Sequence, residues 1–198
     1  MIEKINNPKT ELYLKFKNFV LSPQFSWFWI SESTPRYDID GYENISHFSH
    51  TFLSRSGPGD IFYTKENCQH IGYAHNVFLE VARANGISPL VVYRINANAV
   101  FPTSSMKYTV PHYDHVFPHK NMLIYLTNPN GGDTVCEGES FLAEEDDVII
   151  MEGEHCHKPP SNDRRIVLIY TFLDLELRNR CEEGLKLLKE NKMECEFK

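Results

Sequence analysis

The sequence predicts a mainly β fold with flanking α-helices, a double-stranded β-helix (a cupin-like jelly roll). Three observations predict it. Between residues 90 and 175, short β-branched and aromatic runs recur, each closed by a turn. Helical periodicity is confined to the chain before and after that stretch. Polar side chains that could line an open barrel mouth sit within the runs, foremost His112-Tyr113-Asp114 and His155-Cys156-His157.

The elements follow in chain order. Residues 8 to 20 read as a helix. Pro8 suits its first position, Asn7 its cap, and Leu12, Phe16, Phe19 and Val20 share one face. Phe25 to Ile30 reads as an aromatic core-edge strand and His47 to Phe52 as a second strand. Residues 31 to 69 are otherwise irregular. Ser54 to Asp60 reads as a surface loop, with a substrate lid as the sharper alternative. A second helix spans 70 to 85 on the stripe Ile71, Ala74, Val77, Phe78, Val81 and Ala82, and Asn85-Gly86 stops it.

Leu90 to Asn98 begins the strand-rich core. Arg94, Asn96 and Asn98 alternate with Tyr93, Ile95 and Ala97, so one face of this strand meets either a wet cavity or bulk solvent. Asn121 to Leu126, Thr134 to Phe141, Val148 to Met151 and Arg164 to Phe172 continue it, with Asn128-Pro129-Asn130-Gly131-Gly132 as a strong turn. The acidic run Glu144 to Asp147 is expected to face water. Leu175 to Asn191 returns to helix, with Leu177, Cys181, Leu185 and Leu188 on one face. The chain is read as one domain over 1–198, with an elaboration over 1–89, a jelly-roll core over 90–175 and a C-terminal helix over 176–198.

Composition narrows the function classes. A hydrophobic fraction of 41% and an aromatic fraction of 13% specify a packed protein. A net charge of −7 disfavours a general grip on nucleic acid or anionic membrane, although Lys107, Lys120, Lys158, Arg164 and Arg165 could form a local basic patch. Five cysteines, unpaired in spacing, read as reduced thiols. No secretory or membrane-spanning segment is evident, so a cytoplasmic, membrane-free location is expected.

In a strand, residues i and i+2 share a face, so His112 and Asp114 project together and Tyr113 points away. A distal histidine would complete a set of two imidazoles and one carboxylate, which leaves coordination positions open and is typical of non-haem iron(II) sites. His155 and His157 have the same parity. His155 is preferred for its spacing to Pro159 and Arg164, and His157 stays open.

The pattern resembles the 2-oxoglutarate- and iron(II)-dependent dioxygenases, nearest to the prolyl-hydroxylase-like branch and to small phage-type oxygenases. The resemblance rests on His112-x-Asp114, Tyr125-Leu126-Thr127-Asn128, Gly131-Gly132, His155, and an arginine on the closing strand Arg164 to Phe172, and it covers residues 90 to 175. It implies that His112, Asp114 and His155 are the metal ligands and catalytic residues. It also implies that Arg164, with Tyr125, holds the far carboxylate of 2-oxoglutarate. Arg165 has the opposite parity to Arg164, and a bulge would exchange the two. The implied reaction converts 2-oxoglutarate and O2 to succinate and CO2 while hydroxylating a prime substrate, which could be a peptide or protein side chain, a nucleobase or a small metabolite. Two rivals remain. One is a cupin-like metal-binding isomerase or sugar-binding module using the His155-x-His157 pair. The other is a zinc site on Cys136, Cys156 and His157.

Overall fold

The computed structural model describes residues 1–33, 39–55 and 65–196, with side chains through residue 186. Strands occur throughout: β1 (Ile2–Ile5), β2 (Phe28–Ile30), β3 (Tyr42–Glu43), β4 (His47–Ser54), β5 (Lys65–Glu66), β6 (Pro89–Val100), β7 (Tyr108–Thr109), β8 (Lys120–Tyr125), β9 (Thr134–Cys136), β10 (Glu139–Phe141), β11 (Val148–Met151), β12 (His155–His157) and β13 (Arg165–Asp174). Three helices accompany them, α1 (Glu11–Leu21), α2 (Ile71–Ala84) and α3 (Leu175–Glu196).

The major sheet runs β1-β11-β8-β13-β6-β4-β2, with β5 also paired to β4, and each pairing is antiparallel. A minor antiparallel sheet, β10-β9-β12, forms the opposing wall. Side-chain alternation gives the major sheet two chemically different faces. Ile95, Ala97 and Ala99 of β6, with Ile166, Leu168, Tyr170 and Phe172 of β13, join Phe16, Val20, Val77 and Phe78 from α1 and α2 in the main apolar core. Arg94 and Asn98 of β6, with Arg165, Val167 and Ile169 of β13, line a cavity on the other face. The polar face of β6 is therefore the wet wall of that cavity, and Asn96 within it is fully buried.

Several expectations are corrected. The first helix starts at Glu11, not at Pro8, and its cap is Thr10, whose Oγ1 accepts from Tyr13 N at 3.1 Å. Lys9 has φ +45°, which breaks helical continuity between Pro8 and Thr10. Strand β1 was not anticipated; it adds an edge to β11. Phe25 lies in the core, but the strand that follows it is short, and Phe28 and Trp29 are exposed at the sheet edge. The Ser54 to Asp60 loop falls outside the described residues from position 56 onward. In α3 Leu177 is buried, capped onto β13 by the Asp174 carboxylate, whereas Leu185 is exposed. The basic patch does not assemble. Lys120 is buried against Asp174 and Glu176, and Arg165 turns inward.

The acidic run does not simply face water. Asp146 takes the Tyr13 hydroxyl and Lys17 Nζ, each at 2.5 Å, and Lys9 Nζ at 3.1 Å, pinning α1 to the turn before β11. Burial by itself would raise the Asp146 pKa, but its bonds to Lys17, Tyr13 and Lys9 outweigh that and hold it below the usual carboxylate value. A carboxylate whose pKa is depressed by folding adds stability above its unfolded pKa and loses it as pH falls through the folded one. Asp146→Asn keeps the shape and tolerates the local φ of +68° but removes one of the two carboxylates that hold the buried Lys17, leaving it Glu145 alone. The expected loss is about 2 kcal/mol at neutral pH, shrinking toward acid, and thermal melting of the variant across that pH range checks both.

Candidate active site

His112 and His155 meet through a pair of backbone hydrogen bonds, His112 N to His155 O and His155 N to His112 O, both 3.0 Å. This isolated bridge replaces the regular strand expected for His112 to Asp114, and Asp114 follows on a bend. The side chains nevertheless converge. Ligand atoms of His112, Asp114 and His155 all lie within 4.8 Å of one another, and Asp114 Oδ2 is 3.6 Å from His155 Nε2.

The surroundings suit the three groups to a cation. His112 Nδ1 is 2.9 Å from Val110 O, and His155 Nδ1 is 3.1 Å from Gly153 O. Carbonyls only accept, so each Nδ1 carries the proton and each Nε2 lone pair is free for a metal. Burial pushes His155 down to about 4, against a smaller upward pull from Asp114, so this imidazole is neutral at ordinary pH. Burial would raise Asp114, but the charge of Arg94 foremost, with that of Arg55, holds its carboxyl well below the usual range. Arg94 Nη1 and Arg55 Nη2 contact Asp114 Oδ1 at 2.9 and 3.3 Å, and Arg55 Nη1 reaches Asp114 O at 2.9 Å. With Oδ1 so engaged, Oδ2 is the oxygen left for a metal. Among the described residues Cys136, Cys156 and His157 form no such cluster.

The cluster opens on a cavity of about 1040 Å³. Arg165 and Tyr125 line it, whereas Arg164 is exposed and lies outside it. The expected arginine is thus displaced by one residue. The strand begins at Arg165, which shares parity with Val167 and Ile169, and Arg164 ends the loop with its carbonyl accepting from Thr127 Oγ1 at 2.9 Å. Arg165 is 4% exposed. Its Nη1 donates to Lys158 O at 2.9 Å and Gly132 O at 3.4 Å, its Nε is buried without a partner, and among the described residues it forms no ion pair. Gly132 permits this arrangement, because a Cβ there would stand 3.0 Å from Lys158 O and from Pro129 O. Burial disfavours the charged guanidinium and lowers the Arg165 pKa. Tyr125 Oη is 2.8 Å from Thr134 Oγ1, itself 2.9 Å from His157 Nδ1. Burial raises the Tyr125 pKa, so the phenol keeps its proton.

Sequence reasoning saw Arg55 only as part of a loop and Thr134 only as the start of a strand, and gave neither a role beside the cluster. Arg94 was visible only as a polar residue on a β strand, and nothing local pairs it with Asp114, twenty positions on.

No protein-family model matches this chain, and no curated protein does. Solved structures do. A 2OG-Fe(II) oxygenase family oxidoreductase from Burkholderia pseudomallei is 14% identical, with a TM-score of 0.55 over 80% of this chain and 76% of its own. The fold is that of the 2-oxoglutarate- and iron(II)-dependent oxygenases. A prolyl hydroxylase from Trichoplax adhaerens, solved with a hypoxia inducible factor peptide fragment, is also 14% identical, with a TM-score of 0.50 over 90% of this chain and 86% of its own. SnoN, a non-heme alpha ketoglutarate dependent epimerase of nogalamycin biosynthesis, is 12% identical, with a TM-score of 0.50 over 87% and 77%. At these identities the likeness establishes the double-stranded β-helix architecture. No described helix is long and apolar enough to cross a membrane.

Proposed function

We propose that this chain is a 2-oxoglutarate- and iron(II)-dependent dioxygenase that hydroxylates a prime substrate and turns 2-oxoglutarate and O2 into succinate and CO2. The observation that carries the reading is the juxtaposition in one cavity of two kinds of site. One is a His-Asp-His cluster with its Nε2 lone pairs free, and the other is Arg165, a buried cation with an unpartnered donor and, among the described residues, no ion-pair contact. A buried charge without a counter-ion is costly, so a site that keeps one is built for an anionic ligand.

In this reading His112, Asp114 and His155 hold iron(II), which when bound supplies the oxygen-activating chemistry. Arg165, in place of Arg164, grips the far carboxylate of the diacid through its planar fork, and Tyr125 adds a neutral donor. Arg94 and Arg55 keep Asp114 ionised and turned toward the metal. Leu123, Val167 and Ile169 wall the cavity with apolar surface and exclude water from the diacid. The cavity is larger than a five-carbon diacid needs, which leaves room for a prime substrate beside it. That substrate is a peptide or protein side chain, a nucleobase or a small metabolite. The free thiols Cys68, Cys136, Cys156 and Cys181 accord with work in a reducing cytoplasm.

The cupin-like alternative would recruit His157 as a ligand, but among the described residues the cluster comprises His112, Asp114 and His155, and His157 stands outside it. The deciding experiment supplies iron(II), 2-oxoglutarate and O2 and follows succinate. Succinate release that requires all three is expected. No succinate, together with no binding of 2-oxoglutarate to the metal-loaded protein, would sink the proposal. Once a substrate is in hand, isotopically heavy dioxygen separates hydroxylation from a SnoN-like epimerisation.

A further inference from the structure

His157 is half-buried, lines the cavity and takes no part in the metal cluster, so its place between the cluster and Tyr125 calls for another task. Its Nδ1 lies 2.9 Å from Thr134 Oγ1, and Thr134 Oγ1 lies 2.8 Å from Tyr125 Oη. Thr134 is fully buried, and among the described residues its hydroxyl has only these two partners. The three groups form a chain with a defined start and finish. It begins at an imidazole on β12, passes through β9, and ends at a phenol on β8 beside Arg165.

Proton counting fixes which way this chain runs. Each hydroxyl has one proton to give, and a carboxylate has none. Resting on the reading above, a diacid whose far carboxylate meets Arg165 and Tyr125 must receive the Tyr125 proton. The Tyr125 oxygen then accepts from Thr134, and the Thr134 oxygen accepts from His157 Nδ1. Run in the other direction, Nδ1 accepts from Thr134, and Tyr125 gives its proton to Thr134. The Tyr125 lone pairs then face the carboxylate, and an attractive contact becomes a repulsive one.

We propose that His157 is a positioning residue for a dicarboxylate ligand: with a proton on Nδ1 it sets the relay through Thr134 running outward, so that Tyr125 meets the carboxylate as a donor. His157 acts through its neighbours and does not touch the far carboxylate. The relay and Arg165 together present donors only, so a 2-oxo acid ending in a methyl group gives them nothing to bind.

The test uses the full chain loaded with zinc(II), a diamagnetic substitute for iron(II), with its histidines labelled with nitrogen-15. Long-range proton–nitrogen spectra report which ring nitrogen of His157 bears hydrogen, and the signal is assigned by its loss in His157→Asn. With 2-oxoglutarate bound, His157 is expected to carry its proton on Nδ1. With 2-oxovalerate, which lacks the far carboxylate, or in Thr134→Val, that preference is expected to vanish. Calorimetry on the same zinc-loaded protein should show 2-oxoglutarate binding about fivefold weaker in His157→Leu, the scale of one buried hydrogen bond. Binding should return to within about twofold of the starting protein in His157→Asn, whose amide can donate from the Nδ1 position. A bound-state His157 protonated on Nε2 alone, or equal affinity in His157→Leu and the unaltered chain, overturns the relay. If the unaltered zinc protein does not bind 2-oxoglutarate at all, the oxygenase reading fails and the relay with it; binding without these responses defeats the relay alone.

Discussion

His155→Ala is expected to lose metal binding by more than about a hundredfold, whereas His157→Asn should retain it. The two histidines are separated by one residue and lie on the same short strand, so sequence alone treats them as near equals. Their surroundings do not. His155 is bridged to His112 by two backbone hydrogen bonds, its Nδ1 is held by Gly153 O, and its Nε2 faces Asp114. His157 is turned so that its Nδ1 meets Thr134. Removing a group that merely orients a metal ligand typically lowers affinity ten- to a hundredfold, and removing a ligand itself should do more. Since His155 is depressed to about 4 by burial, metal uptake near neutral pH displaces no proton from it. Titration with cobalt(II), followed by its visible absorption, reads the affinity without requiring turnover. Retention of tight binding in His155→Ala, or its loss in His157→Asn, would move the metal to the other histidine.

How far the sequence discloses this architecture depends on the range of the interactions involved. Helix α2 is legible because its apolar stripe recurs within the helix itself, and β6 because its two faces differ in chemistry from Tyr93 to Ala99. The four-residue β1 is not legible, since Ile2 and Ile5 do not alternate and its pairing partner β11 lies far along the chain. The convergence of His112 and Asp114 was expected from strand parity, yet it arises from an isolated bridge followed by a bend. Asp146 escaped notice for the same reason as the Arg94–Asp114 pair. Its partners on α1 and the segment before it are brought together only by tertiary folding.

The choice between Arg164 and Arg165 shows where parity loses its power. Ile166, Leu168 and Tyr170 face the helices, and Val167 and Ile169 face the cavity, so both faces of β13 are apolar and the sequence cannot say which is inward. The decision is made by the loop before the strand. Asp163 has φ +56°, and Thr127 Oγ1 both donates to Arg164 O and accepts from Ile166 N, which fixes where β13 begins.

Arg165→Met is expected to weaken 2-oxoglutarate binding by a hundredfold or more, and Arg164→Ala to change it by less than about twofold. Losing one partner of a buried, charge-assisted pair costs roughly 2–5 kcal/mol, and 1.4 kcal/mol is a factor of ten. Stability should not follow affinity. Without a diacid, Arg165 is a buried cation that, among the described residues, is in no ion pair, and a methionine of similar length replaces that burden with apolar packing. Against this stands the loss of the donor to Lys158 O and Gly132 O, so the thermal midpoint of Arg165→Met should lie within a few degrees of the unaltered chain. Arg165→Lys keeps the charge but not the fork, and should fall between the two in affinity. Calorimetry on the zinc-loaded protein with 2-oxoglutarate, paired with thermal melting of each variant, separates a ligand-binding arginine from a structural one. A structural Arg165 would lower melting temperature and affinity together, and a binding role for Arg164 would appear as weakened affinity in Arg164→Ala alone. The expected split, binding lost while the fold persists, marks an arginine kept for its ligand at little benefit to the folded chain.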